Sequence, residues 1–587
     1  MLILKKSYKR FVKERDVLKK FLSLLLAISI IVSAVVIGVY AQDDEGELNF
    51  AVASDLHYEA PRAELEGEIN DPIYWYANRR AALEDESSFI IDEFLNQCAE
   101  NDKCDYVLIS GDLVNSGRSY PDYHKAVAAK LKAFEEKTGK DVFVINGNHD
   151  LAEDSATTRA MFKEIYADFG YDKALVKDEE TCSYTANLGE KYRLIALDSN
   201  HATKSTEDGM TAERIQWVCE QAKQAKKDGR YPILMMHHNL LDHMPLQRIV
   251  SRNFIVKFHY TTAEIFADCG IKLVLTGHEH CSDATSYTSA LGNKIYDFAT
   301  TSLTMYPLSY RQFSLNENEI NYSEKTIDSI DTDALSSAVK GYSQEQLALM
   351  NENLDSYAKG FLKAGVRYRL ERSLSMEKMG IAEDEFYYDI VKTAVDSLKD
   401  ILEMPFYGEN SLQELAKEYS IDLPETDYKN GWDLATDLVA AHYEGEEDKT
   451  LDSAAVTSLL KTAALILRKV PADVCDETIF GAANKVLESF GMGSITAELT
   501  KYTSSVFGAV TPCEYLIVAI AAPFLYEFAY DSDSVNDNNG TLPGYGTSSV
   551  GGNIDNVKEN LNLITDKIAL YVKLAINYIF KIFDFLK

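Results

Sequence analysis

Five short motifs in the first half of the chain carry side chains that can bind metal ions. They are Asp55-Leu-His57, Gly111-Asp112, Gly147-Asn148-His149-Asp150, His237-His238 and Gly277-His278-Glu279-His280. Neutral imidazoles combined with hard carboxylates suit transition ions such as Mn, Fe, Zn or Co better than Ca or Mg. A lone histidine is usually a hydrogen-bonded core residue, but several histidines that follow successive strands indicate a metal centre.

Each motif is a weak signal by itself and has an ordinary structural explanation. Asp55 and His57 lie two residues apart in an extended segment, so both side chains point to the same side and can hold one ion. The two carboxylate oxygens of Asp112 can bridge two cations about 3.5–4 Å apart, although an aspartate here could also cap a helix. An Asx-type turn would explain Asn148 but not His149.

Apolar runs precede these motifs and alternate with helical patterns between residues 48 and 330. This alternation is typical of an α/β fold, in which active sites collect at strand ends. The predicted strands are Leu48–Ser54, Tyr106–Ser110, Val142–Ile145, Tyr192–Leu197, Pro232–Met236, Ile271–Leu275 and Ile295–Ala299. The position of most of the polar motifs directly after apolar runs therefore favours a functional site.

Taken in order, the D-x-H, GD, GNHD, H and GHxH motifs resemble the pattern of the calcineurin-like metallophosphoesterase superfamily. The resemblance covers about residues 50–330 and includes every motif position. It implies a four-layer α/β/β/α sandwich for residues 42–330. It also implies a metal-dependent phosphoric ester hydrolase that uses two divalent or transition metal ions.

The resemblance assigns roles to individual residues. The implied metal ligands are Asp55, His57 and His280 for one ion and Asn148, His237 and His278 for the other, with Asp112 bridging both. His237 is preferred to His238 because it comes first after its strand. His149 would be a catalytic residue over the substrate, and Asp150 would orient it and keep it protonated. A metal-activated hydroxide would attack phosphorus, and His149 would help the alkoxide to depart.

Departures from the superfamily pattern indicate which group of phosphoesterases the chain resembles most. The segment Asp112–Gly117 lacks the arginine that protein phosphatases carry, and Asn115 replaces the tyrosine of purple acid phosphatases. The Phe-Asp pair of nucleotidases is absent after Asp150. The chain therefore most resembles bacterial phosphodiesterases, and a small phosphodiester substrate is slightly favoured. A phosphomonoesterase, or a cell-surface attachment protein with a vestigial phosphoesterase domain, is the alternative.

The N-terminal sequence predicts export. The first twenty residues hold eight basic and two acidic side chains, and an uncharged apolar stretch from Phe21 to Ala41 follows. Residues 1–41 are predicted to be a signal peptide or a membrane anchor, so the rest is secreted or held at the outer face of the membrane. The net charge of −33 includes +6 from this segment, which leaves −33 − 6 = −39. That charge argues against binding nucleic acid through bulk electrostatics.

The second half of the sequence is predicted to be helical. Residues 331–530 form a helical domain, with helices such as Ala382–Leu402 and Ala454–Val470. Residues 531–555, rich in Asp, Asn, Gly and Ser, are predicted to be a flexible linker. Residues 556–587 form an amphipathic helix that docks onto the helical domain or attaches to a membrane, surface or partner.

Several residues have open interpretations. Cys98 with Cys104, and Cys269 with Cys281, form disulfides or stay as buried thiols. His124 and His243 line the substrate pocket or are solvated. The aromatic segment Tyr74-Trp75-Tyr76 is a substrate wall or part of ordinary packing.

Overall fold

The computed structural model describes eleven segments of the chain. They are residues 47–62, 82–244, 247, 252–377, 382–383, 388–418, 421–449, 453–458, 461–462, 529–531 and 535–547. The leader predicted at 1–41, the aromatic segment at 74–76 and the helix predicted at 556–587 lie outside these segments.

Thirteen strands lie in the described segments. In chain order they are β1 (Leu48–Ala53), β2 (Tyr106–Ile109), β3 (Asp141–Val144), β4 (Val176–Lys177), β5 (Tyr184–Leu188), β6 (Tyr192–Leu197), β7 (Tyr231–Met236), β8 (Leu273–Thr276), β9 (Asp283–Thr288), β10 (Lys294–Ala299), β11 (Ser309–Leu315), β12 (Glu319–Thr326) and β13 (Asn539–Pro543). All seven strands predicted from the sequence are present, and no end is shifted by more than two residues.

The strands form two sheets. The first has the order β13-β12-β11-β1-β2-β3, and the second has the order β4-β5-β6-β7-β8-β10-β9. Strands β1, β2 and β3 are parallel, as are β6, β7, β8 and β10. The register pairs Ala53 with Ile109 and Ile109 with Val144, so three of the predicted motifs leave the first sheet side by side.

Helices cover the outer faces of the sheets and continue beyond them. They are α1 (Ser87–Glu100), α2 (Pro121–Thr138), α3 (Arg159–Ile165), α4 (Ala212–Lys227), α5 (His259–Cys269), α6 (Thr332–Ala338), α7 (Gln344–Glu352), α8 (Leu354–Ser373), α9 (Tyr388–Glu403), α10 (Leu412–Glu418) and α11 (Gly431–Glu444), with a π-helical turn at Ala167–Tyr171. Residues 388–402 of the predicted helix Ala382–Leu402 are thus helical, whereas residues 382–383 are not. Residues 454–458 and 461–462 of the predicted Ala454–Val470 are helical.

Apolar side chains fill the space between the two sheets. The ring of Phe313 on β11 stacks on Phe50 of β1 at 5.2 Å, and its edge meets Phe298 of β10 in the other sheet at 5.2 Å. On the outer side of the second sheet, Val218 of α4 and Phe266 of α5 are fully buried. The predicted α/β/β/α sandwich and the presence of a helical region after β12 are confirmed.

The prediction of a flexible linker is wrong for residues 535–547. Residues 539–543 form β13, which pairs antiparallel with the edge strand β12. The side chains of this segment bury little surface. Its backbone N–H and C=O groups nevertheless form hydrogen bonds with the free backbone groups along the edge of β12. Tyr545 then packs against Tyr231 at 5.1 Å and donates its hydroxyl to the carbonyl of Pro232 at 2.7 Å.

The six cysteines in the described segments, which include the four with open interpretations, are free thiols. Within those segments, none of the helices combines the length and the apolar character that a membrane crossing requires.

Substitution of Tyr545 tests whether β13 stabilises the fold. The hydroxyl of Tyr545 also accepts a hydrogen bond from Leu273 N at 3.2 Å. We expect Tyr545→Phe to lower the free energy of unfolding by about 1 kcal/mol, because it removes only these hydrogen bonds. Tyr545→Ala should cost about 2–4 kcal/mol, because the ring contacts are lost as well. Urea denaturation measures both values, and an unchanged stability of Tyr545→Ala would contradict the packing role.

Candidate metal centre

Five of the predicted ligands have a left-handed backbone conformation directly after their strands. The φ angles are 50° at Asp55, 40° at His57, 50° at Asp112, 67° at His278 and 65° at His280. Residues other than glycine rarely adopt this conformation, which costs on the order of 1–3 kcal/mol each. It turns the chain sharply where each strand ends, and the side chains consequently gather over the sheet edges.

Hydrogen bonds between neighbouring motifs hold these strained turns in place. The backbone N–H of Asp55 donates to the carbonyl of Gly111 at 3.0 Å, and that of His57 donates to the carbonyl of Asp112 at 3.0 Å. The N–H of His278 donates to Oδ2 of Asp55 at 2.9 Å, which joins the second sheet to the first. The remaining oxygen of Asp55, Oδ1, therefore faces the centre.

The first group of donor atoms comes from Asp55, His57 and His280. Oδ1 of Asp55 lies 3.0 Å from Nε2 of His280 and 3.5 Å from Nε2 of His57. The two Nε2 atoms are 3.2 Å apart. Ligands that each lie about 2.1 Å from one ion are separated by roughly 3.0–3.4 Å, so this triangle fits a single metal.

The second group comes from Asp112, Asn148, His237 and His278. Nε2 of His237 lies 2.9 Å from Oδ1 of Asn148, 3.1 Å from Nδ1 of His278 and 3.3 Å from Oδ2 of Asp112. All four residues are buried. These spacings also fit one metal ion, and the structure brings together all seven predicted ligands in two adjacent groups.

Oδ2 of Asp112 lies between the two groups. It is 3.3 Å from Nε2 of His237 and 3.9 Å from Nε2 of His57. The other oxygen, Oδ1, accepts a hydrogen bond from the N–H of His149 at 2.7 Å, whereas Oδ2 is buried with no hydrogen-bond partner. A buried carboxylate oxygen without a donor is costly unless a cation meets it. This orphaned atom therefore fits a ligand shared by two metals.

Charges within the donor set favour cation binding. Burial disfavours ionised Asp55, but His280 and His237 outweigh it and hold the pKa of that carboxyl well below its usual range. Burial likewise opposes a charge on His237, yet Asp112 and Asp55 raise the pKa of His237 to about 9. Burial and the neighbouring His237 lower the pKa of His278, which keeps its imidazole neutral. Metal binding would displace the proton of His237.

The imidazole of His149 borders the same centre. One of its nitrogens lies within 4.8 Å of donor atoms of His57 and Asp112. Its Nδ1 lies 2.8 Å from the backbone carbonyl of Asn115, which fixes the orientation of the ring. Asn115 therefore takes the orienting role that the sequence analysis assigned to Asp150.

Asp150 holds the loops around the centre instead. Its Oδ1 accepts a hydrogen bond from Val114 N at 3.1 Å, and its Oδ2 accepts one from Gly147 N at 2.7 Å. Burial and the nearby carboxylate of Asp112 raise the pKa of Asp150. The predicted contact with His149 is thus replaced by contacts with backbone N–H groups of two motifs.

The other histidines named in the sequence analysis lie outside the donor set. Nδ1 of His238 meets the hydroxyl of Ser199 at 2.9 Å, and burial lowers the pKa of His238 to about 3. His124 is buried, with Nε2 2.9 Å from the carbonyl of Asp150. The predicted alternatives for His124, a pocket wall or a solvated side chain, are therefore both replaced by a core position.

His243 is also a core residue rather than part of the pocket. Its Nδ1 contacts the carboxylate of Asp283, and its Nε2 lies 3.0 Å from Oδ2 of Asp297. Burial opposes a charge on the ring, but the two aspartates outweigh it and raise the pKa of His243. The same oxygen of Asp297 accepts hydrogen bonds from Leu240 N and Leu241 N, so this cluster shapes the loop after β7.

A cavity of about 780 Å³ opens over the centre. The lining residues that the sequence did not indicate include Arg118, Phe254, Arg369 and Tyr443. Arg118 follows the segment Asp112–Gly117 by one residue, and its Nε donates to the carbonyl of Asn148 at 2.7 Å. Its position directly after the second motif was the one signal in the sequence that could have indicated it. Phe254 stacks on His278 with ring centroids 4.3 Å apart.

The sequence and the fold were compared with known proteins. Residues 48–282 match the family model of the calcineurin-like phosphoesterases. An uncharacterized protein from Schizosaccharomyces pombe is 22% identical over 262 residues, which are 42% of this chain and 47% of that protein. The chain thus spans about half the length of this curated relative.

Solved structures with similarity to the chain include two proteins with phosphoesterase descriptions. A dimetal phosphatase from Danio rerio is 13% identical, covers 48% of this chain and 96% of its own, and has a TM-score of 0.36. A predicted phosphoesterase from Streptococcus pneumoniae is 12% identical, covers 48% of this chain and 90% of its own, and has a TM-score of 0.22.

Gly147 provides a test of the shared carboxylate. A Cβ atom at this residue would lie 2.1 Å from Oδ1 of Asp112 and would displace that side chain. We expect Gly147→Ala to lose bound metal, as measured by elemental analysis after gel filtration. Gly360→Ala is the control, because a Cβ there meets nothing within 4 Å. The control should keep its metal and gain up to about 1 kcal/mol of stability. Full metal content in Gly147→Ala would contradict the need for close contact between residue 147 and Asp112.

Proposed function

We propose that this chain hydrolyses phosphate esters with two bound metal ions, since residues 48–282 are a calcineurin-like phosphoesterase domain. The observation that carries the proposal is the arrangement of seven donors in two groups that share Oδ2 of Asp112. A single structural ion would not require a carboxylate oxygen between two groups of imidazoles.

Separate residues of the chain would bind the metal ions and assist the leaving group. Asp55, His57 and His280 would hold one ion, and Asn148, His237 and His278 would hold the other, with Asp112 between them. Bound ions supply positive charge to the phosphoryl oxygens and make water a better nucleophile near neutral pH. His149, held by the carbonyl of Asn115, is in a position to donate a hydrogen bond or a proton to the leaving oxygen.

Arg118 supports the binding of an anionic ester. It is half-buried in the cavity wall, and the hydrogen bond that the structure gives its guanidinium uses only Nε. The two terminal nitrogens can therefore meet a phosphoryl oxygen, for which the planar guanidinium is well suited. Its bond to the carbonyl of Asn148 also supports the loop that carries a predicted metal ligand.

A small phosphodiester is the favoured substrate. The cavity extends from the metal centre to Arg369 on α8 and Tyr443 on α11, which leaves room for groups on both sides of phosphorus. A volume of about 780 Å³ is within the usual range for small-molecule sites. A phosphomonoesterase is the alternative. The complete set of donors argues against a vestigial domain in an attachment protein.

The proposal includes an extracytoplasmic location, secreted or anchored at the outer face. It rests on the basic N-terminus and the apolar stretch Phe21 to Ala41. Contact with a membrane or surface would use this segment or the helix predicted at 556–587. We propose Mn, Fe, Zn or Co as the metals, because four imidazoles accompany the carboxylates. Nucleic acid is not a proposed partner, given the net charge of −33.

Turnover assays test the proposed activity. We expect purified protein with Mn²⁺ to hydrolyse bis-p-nitrophenyl phosphate faster than p-nitrophenyl phosphate, and a chelator to stop both reactions. Asp112→Ala should lose activity and bound metal together, because it removes the oxygen between the two groups. The proposal fails if the wild-type protein neither binds metal nor cleaves either ester.

Substitution of His149 distinguishes a catalytic role of this residue from a role in metal binding. We expect His149→Ala to keep both metals, because the seven donors remain, and to lose about 100-fold or more of its turnover, as general acid catalysis contributes roughly 10²–10⁴-fold. Elemental analysis and assays under the same conditions measure the two effects. Loss of metal in this variant would instead make His149 a ligand.

A further inference from the structure

We propose that the ring of Tyr120 binds a planar aromatic group on one arm of the phosphoester substrate. This inference rests on the proposed phosphoesterase activity, and it narrows the favoured substrates to esters that carry an aryl or heteroaryl ring. Tyr120 binds this ring by stacking, whereas the metal centre and Arg118 bind the phosphoryl group.

Tyr120 lies in the wall of the cavity that opens over the metal centre. It lines this cavity together with Arg118 and His149. The residue is 51% exposed, which is a large fraction for an aromatic side chain. Phe254 and Tyr443 also bring phenyl or phenol rings to the cavity, but both residues are half-buried. Tyr120 is therefore the ring of this wall that offers the most open surface to a ligand.

Two further tyrosines support the ring of Tyr120 from behind. Tyr123 stacks on it, with ring centroids 4.9 Å apart and ring planes inclined by 27°. Tyr123 in turn meets Tyr58 edge to face at 6.1 Å. Tyr58 is buried and directly follows His57 of the first motif. Because Tyr123 covers one face of Tyr120, the exposed surface of Tyr120 is its other face and its edge.

The backbone at Tyr120 is held in place next to the motifs. Its N–H donates to the carbonyl of Ser116 at 3.1 Å. Pro121 begins α2 and restricts the residue before it to extended conformations, in agreement with φ of −127° at Tyr120. Two residues earlier, the N–H of Arg118 donates to the carbonyl of His149 at 3.0 Å. A ring with an ordered backbone and one covered face loses little conformational entropy when it binds a ligand.

The chemistry of this open face favours an uncharged, planar ring. Stacked aromatic rings attract each other beyond the gain from apolar burial, whereas an aliphatic group gains from burial alone. The face of a tyrosine also attracts cations. A cationic group on the substrate would, however, be repelled by Arg118 in the same wall and by the bound metal ions. An aromatic arm avoids this repulsion.

The test compares two esters that release the same thiol and differ in one ring. They are O-benzyl S-ethyl phosphorothiolate and its O-cyclohexylmethyl counterpart. In both, the oxygen of water bonds to phosphorus, the P–S bond breaks, and ethanethiol leaves with a proton from the water. The cyclohexyl group is the more apolar of the two, so a preference for benzyl reports stacking. We expect the full chain with Mn²⁺ to prefer the benzyl ester by about two- to tenfold in kcat/KM, mainly through KM.

Two additions identify the arm and the kind of ring. An O-ethyl pair with S-benzyl and S-cyclohexylmethyl groups, compared through KM, places the ring on the leaving side. An O-(thymidin-5′-yl) S-ethyl ester distinguishes the sources of the ring. A lower KM than that of the benzyl ester indicates a nucleobase, and a higher one indicates a simple aryl group.

Substitutions then assign the preference to one side chain. We expect Y120L to bring the ratio of the two esters to about one, because leucine is apolar but has no aromatic face. Bound metal should be unchanged in Y120L, since the seven donors remain. Y120F should keep the preference, because its ring is retained. F258A is the matched control, because Phe258 is 76% exposed but lies outside the cavity lining, and it should leave the ratio unchanged.

Equal KM values within both pairs in the wild-type protein would overturn the proposal, and so would a benzyl preference that persists in Y120L. Failure of the proposed function looks different, because no ester is then cleaved by any variant. Calorimetry with the matching propylphosphonates, in which CH2 replaces sulfur, decides that case. Tighter binding of the benzyl compound that is lost in Y120L supports the stacking site, and equal or absent binding overturns it.

Discussion

The structure of the centre depends on one buried carboxylate oxygen, Oδ2 of Asp112. It has no hydrogen-bond donor, although its partner oxygen accepts the N–H of His149. Low solvation would normally favour the protonated acid, but the nearby His237 and His149 outweigh burial and lower the pKa of Asp112. The charges of these imidazoles thus keep Asp112 ionised in its buried position. The two groups of donors lie on either side of this oxygen, so a cation held by each group would contact it.

The centre also depends on backbone strain at the predicted metal ligands. A residue such as Asp55 or His280 keeps a left-handed backbone because the surrounding sheets determine its position. Parallel pairing of β1 with β2 and of β7 with β8 fixes where each strand ends, and the core between the sheets fixes how far apart those ends lie. Stability gained from aromatic packing around Phe313 therefore offsets the cost of turns that hold the donors in one orientation.

Much of the centre was predictable because its residues directly follow strands with a strong apolar pattern. Residues that were missed or given a different role act through distant or backbone contacts, which motif spacing does not report. Asp150 is adjacent to His149 in sequence, yet its carboxylate bonds to N–H groups of Val114 and Gly147. Arg369 comes from a helix with no motif at all. The composition of residues 531–555 predicts a linker because it reflects only the surface that a segment can bury by itself. It does not report the backbone partners that an open sheet edge offers to β13.

The position of β13 has a consequence for how the chain is organised. The strand belongs to the first sheet, but more than two hundred residues separate it from its neighbour β12. The helices after β12 are therefore an insertion within the α/β sandwich rather than an appendage to it. During synthesis the edge of the sheet stays open until Pro543 has left the ribosome, so the sandwich is completed only after every helix of the insertion has been made.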